Sequence, residues 1–219
     1  MTAGEATHAQ GGLDLRKTAM WAFLGSECLF FGALISTFLL YRNRFESGPG
    51  PEIFDVPFTS VSSFVLLMSS LTMVLAHNAA GRNDRRQLQV WLAATALLGL
   101  VFLSGQVFEF TSFAEEGLVL GSCTAEERQA LAEASEIVRE EDGPRRCGTP
   151  FSSSFYLLTG THGAHVMVGV LMLSAMFILA RRGSLSSSRG MNVELIGLYW
   201  HFVDIVWIVI FTLVYLLQI

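Results

Sequence analysis

Two pairs of side chains stand out for the chemistry their spacing allows. His162 and His165 lie three residues apart, and His201 and Asp204 repeat that interval; on a helix, positions three apart share a face. Two imidazoles from one helix, with an imidazole and a carboxylate from another, could bind a metal as buried sites in helical bundles do. A haem reading needs only axial histidines. The same pattern also serves interhelical hydrogen bonding beside Gly160, Gly163 and Gly169, because small residues let helices approach and polar side chains then bridge them. Spacing alone leaves these readings open. Three carboxyls, Glu27, Glu109 and Asp204, fall within apolar runs, where a charge is costly enough to make each a functional candidate. Each could relay protons, or hydrogen-bond to a neighbouring helix or a lipid head group. The sequence holds no Gly-rich phosphate loop, nucleophile elbow or HExxH.

The elements that must position these groups are long apolar helices. Of the 219 residues, 52% are hydrophobic and only 15% charged, against roughly 25% charged in soluble domains. A bilayer core roughly 30 Å thick needs about 20 apolar residues in helical form, and five runs meet that length: 18–41, 58–77, 88–113, 151–180 and 193–217. They do not alternate with period two, so the expected fold is an all-α, five-helix membrane bundle rather than a barrel. Residues 1–17 are polar, and the run after them is too long for a signal-peptide core and lacks an A-x-A-like site, so it is expected to be retained. No internal repeat is present, which favours one membrane domain over 18–219. Trp21, Tyr41, Tyr156 and Trp200 fall near expected helix ends, as interfacial anchors do, whereas Trp207 reads as packing.

Charge sets the expected orientation. With the N-terminus cytoplasmic, the inner segments hold Arg16, Lys17, Arg82, Arg85, Arg86, Arg181, Arg182 and Arg189, while the short outer connection holds only Arg42 and Arg44; cytoplasmic loops carry the excess of Lys and Arg. The C-terminus is then periplasmic. The formal net charge of -5 lies wholly in the outer connection 114–150, which holds 4 basic and 9 acidic residues and leaves 10 of each elsewhere. Such a balance excludes a phosphate-backbone surface. Thr124 and Glu127 have capping-box spacing, so a short surface helix is expected over 125–140. Cys123 and Cys147 bracket it on the oxidising face, as a candidate disulfide or as two unpaired thiols. Cys28 reads as a small core residue rather than a reactive thiol, and three cysteines in all are too few for a cysteine-held iron–sulfur cluster.

Taken together, the motifs resemble subunit III of the haem-copper oxidases. The run Tyr199-Trp200-His201-Phe202-Val203-Asp204-Ile205-Val206-Trp207 looks like that family's most characteristic stretch, and Thr159-Gly160-Thr161-His162-Gly163-Ala164-His165 is similar to its T-G-x-H-G-x-H run. Ser26-Glu27-Cys28-Leu29-Phe30-Phe31 resembles the helix bearing the family's carbodiimide-reactive glutamate, Gln106-Val107-Phe108-Glu109 its Q-x-x-E, and Ser69-Ser70 with Ala76-His77 a further run. These matches occur in order along all five helices. The chain departs in having five helices where some members have seven, in Thr161 and Asn78 replacing an aromatic and a second histidine, and in the long connection 114–150.

The resemblance implies an accessory subunit of an aerobic terminal oxidase of the cytochrome c type, in a bacterial inner membrane. Haem and copper would sit in subunits I and II, and this chain would bind no cofactor or metal, only phospholipid. It would pack on subunit I, sustain proton uptake during reduction of oxygen to water, and protect the complex during turnover. Glu27 and Glu109 would be the proton- or lipid-associated carboxyls, and His77, His162, His165, His201 and Asp204 interhelical packing groups. The acidic outer connection would contact a neighbouring subunit or a basic carrier such as a cytochrome c domain. Competing readings are an accessory subunit of a nitric oxide reductase, an independent proton-conducting or transport protein, and a membrane metalloenzyme.

Overall fold

The computed structural model describes residues 15–42, 56–115, 150–182 and 189–217. The expected surface helix over 125–140 and the Cys123/Cys147 pair lie outside these residues. Five long helices are present: α1 (Leu15–Arg42), α2 (Val56–Gly81), α3 (Arg85–Glu115), α4 (Pro150–Arg182) and α5 (Arg189–Phe211). A π turn, Thr212–Leu216, extends α5, and the described residues include no strand. Every helix has an apolar window long enough to cross a membrane; even the 26 residues of α2 span roughly 39 Å at 1.5 Å per residue.

The boundaries follow from local chemistry. Pro57 and Pro150 stand in the first turns of α2 and α4, where a missing N–H removes no helix bond. Asn83 ends α2 with a positive φ of 59°, a conformation that its short polar side chain tolerates. The amide N–H of Asp84 donates to the Ala79 carbonyl at 3.0 Å and that of Asn83 to the Ala80 carbonyl at 3.1 Å, the bond pair of a Schellman closure. Asp84 then starts α3, its Oδ1 accepting from the amides of Arg86 and Gln87 at 3.1 Å, a cap worth about 1 kcal/mol. Three residues thus close one helix and open the next.

Neighbouring order in the bundle is set by which faces are small. α2 packs on α3 and α5, α4 on α3, α1 and α5, and α1 also meets α5. Interior positions recur at three- and four-residue intervals on α2: Thr59, Ser63, Leu66, Ser69, Met73, Ala76 and Ala80. Burial is uneven. In the apolar window of the α5 span 44% of residues are buried, against 17% for α1, so α5 is the axis of the bundle and α1 its least embedded member.

Candidate functional site

The polar groups divide between a closed seam and an open cleft. Along the seam, α2 offers hydroxyls to the large side chains of α5. The Trp200 indole N–H donates to Ser69 Oγ at 3.0 Å, and the Trp207 indole N–H to Ser63 Oγ at 2.8 Å. The Trp200 ring lies between Gly99 of α3 and Gly169 of α4, where a Cβ on either glycine would stand 2.7 Å from ring carbons. Trp207 packs edge-on against Phe102 and stacks on His162, each with centroids 4.9 Å apart. Toward the end of α3, Thr59 Oγ1 donates to Glu109 Oε1 at 2.7 Å, and Tyr215 of the π turn acts on the same carboxyl, although outside regular hydrogen-bond geometry. Ser70 Oγ meets His201 Nδ1 at 2.6 Å and also acts on the buried Asp204 carboxyl, although outside regular hydrogen-bond geometry.

The cleft lies between α1 and α4. Met20, Phe23 and Glu27 of α1, Ala164, His165, Val168 and Met172 of α4, and Tyr199 of α5 line a volume of about 410 Å³. His165 Nδ1 contacts the Thr161 carbonyl at 2.8 Å; a carbonyl only accepts, so Nδ1 carries a hydrogen and Nε2 faces Glu27. Nε2 stands 3.3 Å from Glu27 Oε2, at an angle that leaves this oxygen without a hydrogen bond. Tyr199 O–H fixes the local backbone by donating to the His165 carbonyl at 3.0 Å.

α1 packs midway through Phe31, which meets the rings of His162, His165 and Phe202. Cys28, expected in the core, is exposed, because α1 buries only the narrow stripe of Leu24, Phe31 and Phe38 and Cys28 falls beside it. Polar ties hold the ends. Lys17 Nζ pairs with Glu194 Oε1 of α5 at 2.7 Å. At the other end the Arg42 guanidinium donates to the Leu213 carbonyl at 2.8 Å and to the Leu217 carbonyl, satisfying acceptors that the end of a helix leaves open.

The structure separates the residues that spacing had grouped. His162 is fully buried, with Phe31 and Phe102 against its ring and neither nitrogen hydrogen-bonded. His165 belongs to the cleft and His201 to the seam, while His77 is exposed on α2. No three His, Cys, Asp or Glu side chains converge as a metal site among the described residues, so the residues do not fit the metal reading. Trp200 corrects the sequence expectation: it is no interfacial anchor but a fully buried residue, because α5 begins at Arg189 and places it well inside the bundle. Trp21, with 61% of its surface exposed, sits near the start of α1 as expected. Sequence reasoning missed the indole-to-hydroxyl bonds; their signal was the spacing of Thr59, Ser63 and Ser69 on α2 opposite two tryptophans seven apart.

Fold and polar seam define a polytopic α-helical membrane protein. The family model described as cytochrome c oxidase subunit III matches residues 147–219. The chain is 32% identical over 198 residues to cytochrome c oxidase subunit 3 of Bacillus sp. (strain PS3), covering 90% of this chain and 83% of that protein. It is 32% identical over 204 residues to quinol oxidase subunit 3 of Bacillus subtilis (strain 168), covering 93% and 87%. Against cytochrome c oxidase subunit 3 of Synechocystis sp. (strain PCC 6803) it is 35% identical over 219 residues, covering 99% and 82%. The chain belongs to the subunit III family of the haem-copper oxidases. It is an accessory subunit of a terminal oxidase complex and a multi-pass protein of the bacterial inner membrane.

Proposed function

We propose that this subunit packs beside subunit I, holds phospholipid in the α1–α4 cleft, and sustains proton uptake and turnover stability while the complex reduces oxygen to water. Haem and copper belong to subunits I and II in this reading and supply the oxygen chemistry and proton pumping there. The observation that carries it is the cleft itself: an apolar groove on the least embedded helix, with one carboxyl–imidazole pair in its wall. Glu27 lies about midway along α1, so the acyl region of a lipid rather than its head group lies beside the carboxyl. A lipid seated there excludes water from the pair and keeps its proton within the protein. Glu109, tied to Thr59 and Tyr215, acts by holding the outer part of the seam.

Glu27→Gln in the assembled oxidase is the direct test. The expected result is intact haem spectra with slower proton uptake or a shorter working lifetime. Loss of the haem signals would contradict a non-catalytic role, and proton transport by the purified chain alone in liposomes would replace the accessory reading with a conducting one. The acidic stretch 114–150 serves in this proposal as an outer contact for a neighbouring subunit or a basic cytochrome c domain. Deleting 122–148 should weaken the salt dependence of electron donation, and unchanged donor kinetics and complex composition would remove that role.

A further inference from the structure

The described cations concentrate at one end of the bundle. Arg82, Arg85 and Arg86 surround the turn between α2 and α3, and Arg181 and Arg182 close α4. The Gln89 amide donates to the Ala180 carbonyl at 3.1 Å, which sets the start of α3 against the end of α4 and puts these five arginines on one rim. All five are exposed, and among the described residues no carboxylate forms an ion pair with any of them. The one acid of the turn, Asp84, is engaged by the amides of Arg86 and Gln87.

Helix electrostatics distinguishes the members of the rim. Arg181 and Arg182 occupy the last turn of α4, where cations are favoured, but Arg85 and Arg86 occupy the first turn of α3, facing the positive end of its dipole. The single Asp84 carboxylate that caps this end sets one negative charge against the three arginines around the turn, and an external anion offsets the rest. The wall beneath the rim is apolar. Val90 lies four residues beyond Arg86 and Ile178 four before Arg182, so each shares a face with its arginine, and both are exposed. The Arg181 guanidinium lies 5.9 Å from the Phe177 ring centroid, holding the charge over an apolar surface. Cations above exposed apolar side chains, at the end of membrane-spanning helices, complement a molecule with an anionic head and an apolar tail. A soluble anion would make no use of the wall, and an acidic protein surface would leave it uncovered.

We propose that this rim binds the head-group phosphate of an anionic phospholipid, whose acyl chains lie along the Val90 and Ile178 faces. The site is distinct from the cleft, since its wall spans α3 and α4 and shares no residue with the lining of the cleft between α1 and α4. Guanidinium groups suit it because they meet phosphate oxygens in a bidentate fork.

The test reconstitutes the purified oxidase complex in phosphatidylcholine bilayer discs containing increasing phosphatidylglycerol and counts retained phosphatidylglycerol by native mass spectrometry. At about 1 kcal/mol per arginine near a membrane surface, R85Q/R86Q should weaken the site about thirtyfold relative to wild type. Should that pair fail to assemble, R85K/R86K keeps the charge but loses the fork, and should weaken retention several-fold. In wild type, retention should fall as salt rises. Phosphatidylglycerol retention equal in wild type and variants, or insensitive to salt, would overturn the proposal and leave the rim as a topology signal. Displacement by inorganic phosphate beyond that by chloride at matched ionic strength would show a free-anion site and overturn the lipid assignment.

Discussion

The α2–α5 seam and the α1–α4 cleft solve opposite problems with similar residues. In the seam, each indole fills a notch cut by small residues and finds a hydroxyl acceptor, so Trp200 and Trp207 are wholly enclosed by α2, α3 and α4. On α1, the exposed Gly25 and Gly32 would meet nothing within 4 Å if given a Cβ, and in the cleft Glu27 faces His165 without a regular hydrogen bond. Within a bilayer, where lipid tails are as apolar as leucine side chains, helices associate through close packing and polar bridges rather than by escaping water. A seam with both is a fixed joint. The cleft instead leaves an open volume beside α1, and the proposed role of the subunit rests on that volume.

Substitutions test that contrast. Trp200→Ala should cause the largest loss, about 3–5 kcal/mol for truncating a buried aromatic, read as a drop in thermal stability or in recovery of the intact complex. Trp21→Ala on exposed α1 should change either measurement little, and equal losses at both positions would erase the distinction between joint and gap. Gly169→Ala should cost about 1–3 kcal/mol by overpacking, because its new methyl meets the Trp200 ring, while Gly32→Ala should stay within about 0.5 kcal/mol. Ser63→Ala leaves the Trp207 N–H buried without an acceptor, for about 1–3 kcal/mol; preserved stability would show that the indole has a second partner. Smallest of all, Lys17→Gln removes a half-exposed pair worth about 0.2–1 kcal/mol, and the difference from wild type should vanish in high salt.

Much of the architecture was legible because hydropathy over twenty residues is a strong signal. The expected spans 18–41, 58–77, 88–113, 151–180 and 193–217 each lie inside or nearly match an observed helix, and all observed ends but the last extend by one to four residues, through Arg85, Arg182 and other residues that hydropathy discounts. The motifs identified the family correctly. What spacing could not resolve was destination. His162 and His165 share a helical face in projection, yet one stacks on Trp207 and the other reaches α1, because a helix at the centre of a bundle has different neighbours within one turn. Trp200 was misread for a related reason. An aromatic near the edge of a hydropathy window looks interfacial, but helix length, set by residues outside the window, decided its depth. The π turn carried no sequence signal, and the Arg42 guanidinium that reaches the Leu213 and Leu217 carbonyls there comes from α1, distant in the sequence.

The three-residue turn between α2 and α3 also bears on how the bundle is put together. Asp84 contributes its amide to the end of one helix and its carboxylate to the start of the next, so the polar backbone groups at the bend are largely matched before any other helix is present. Two apolar rods joined by such a bend form a hairpin whose connecting backbone needs no third helix to satisfy it, and whose wall offers α5 the Ser63 and Ser69 hydroxyls and the Gly99 notch.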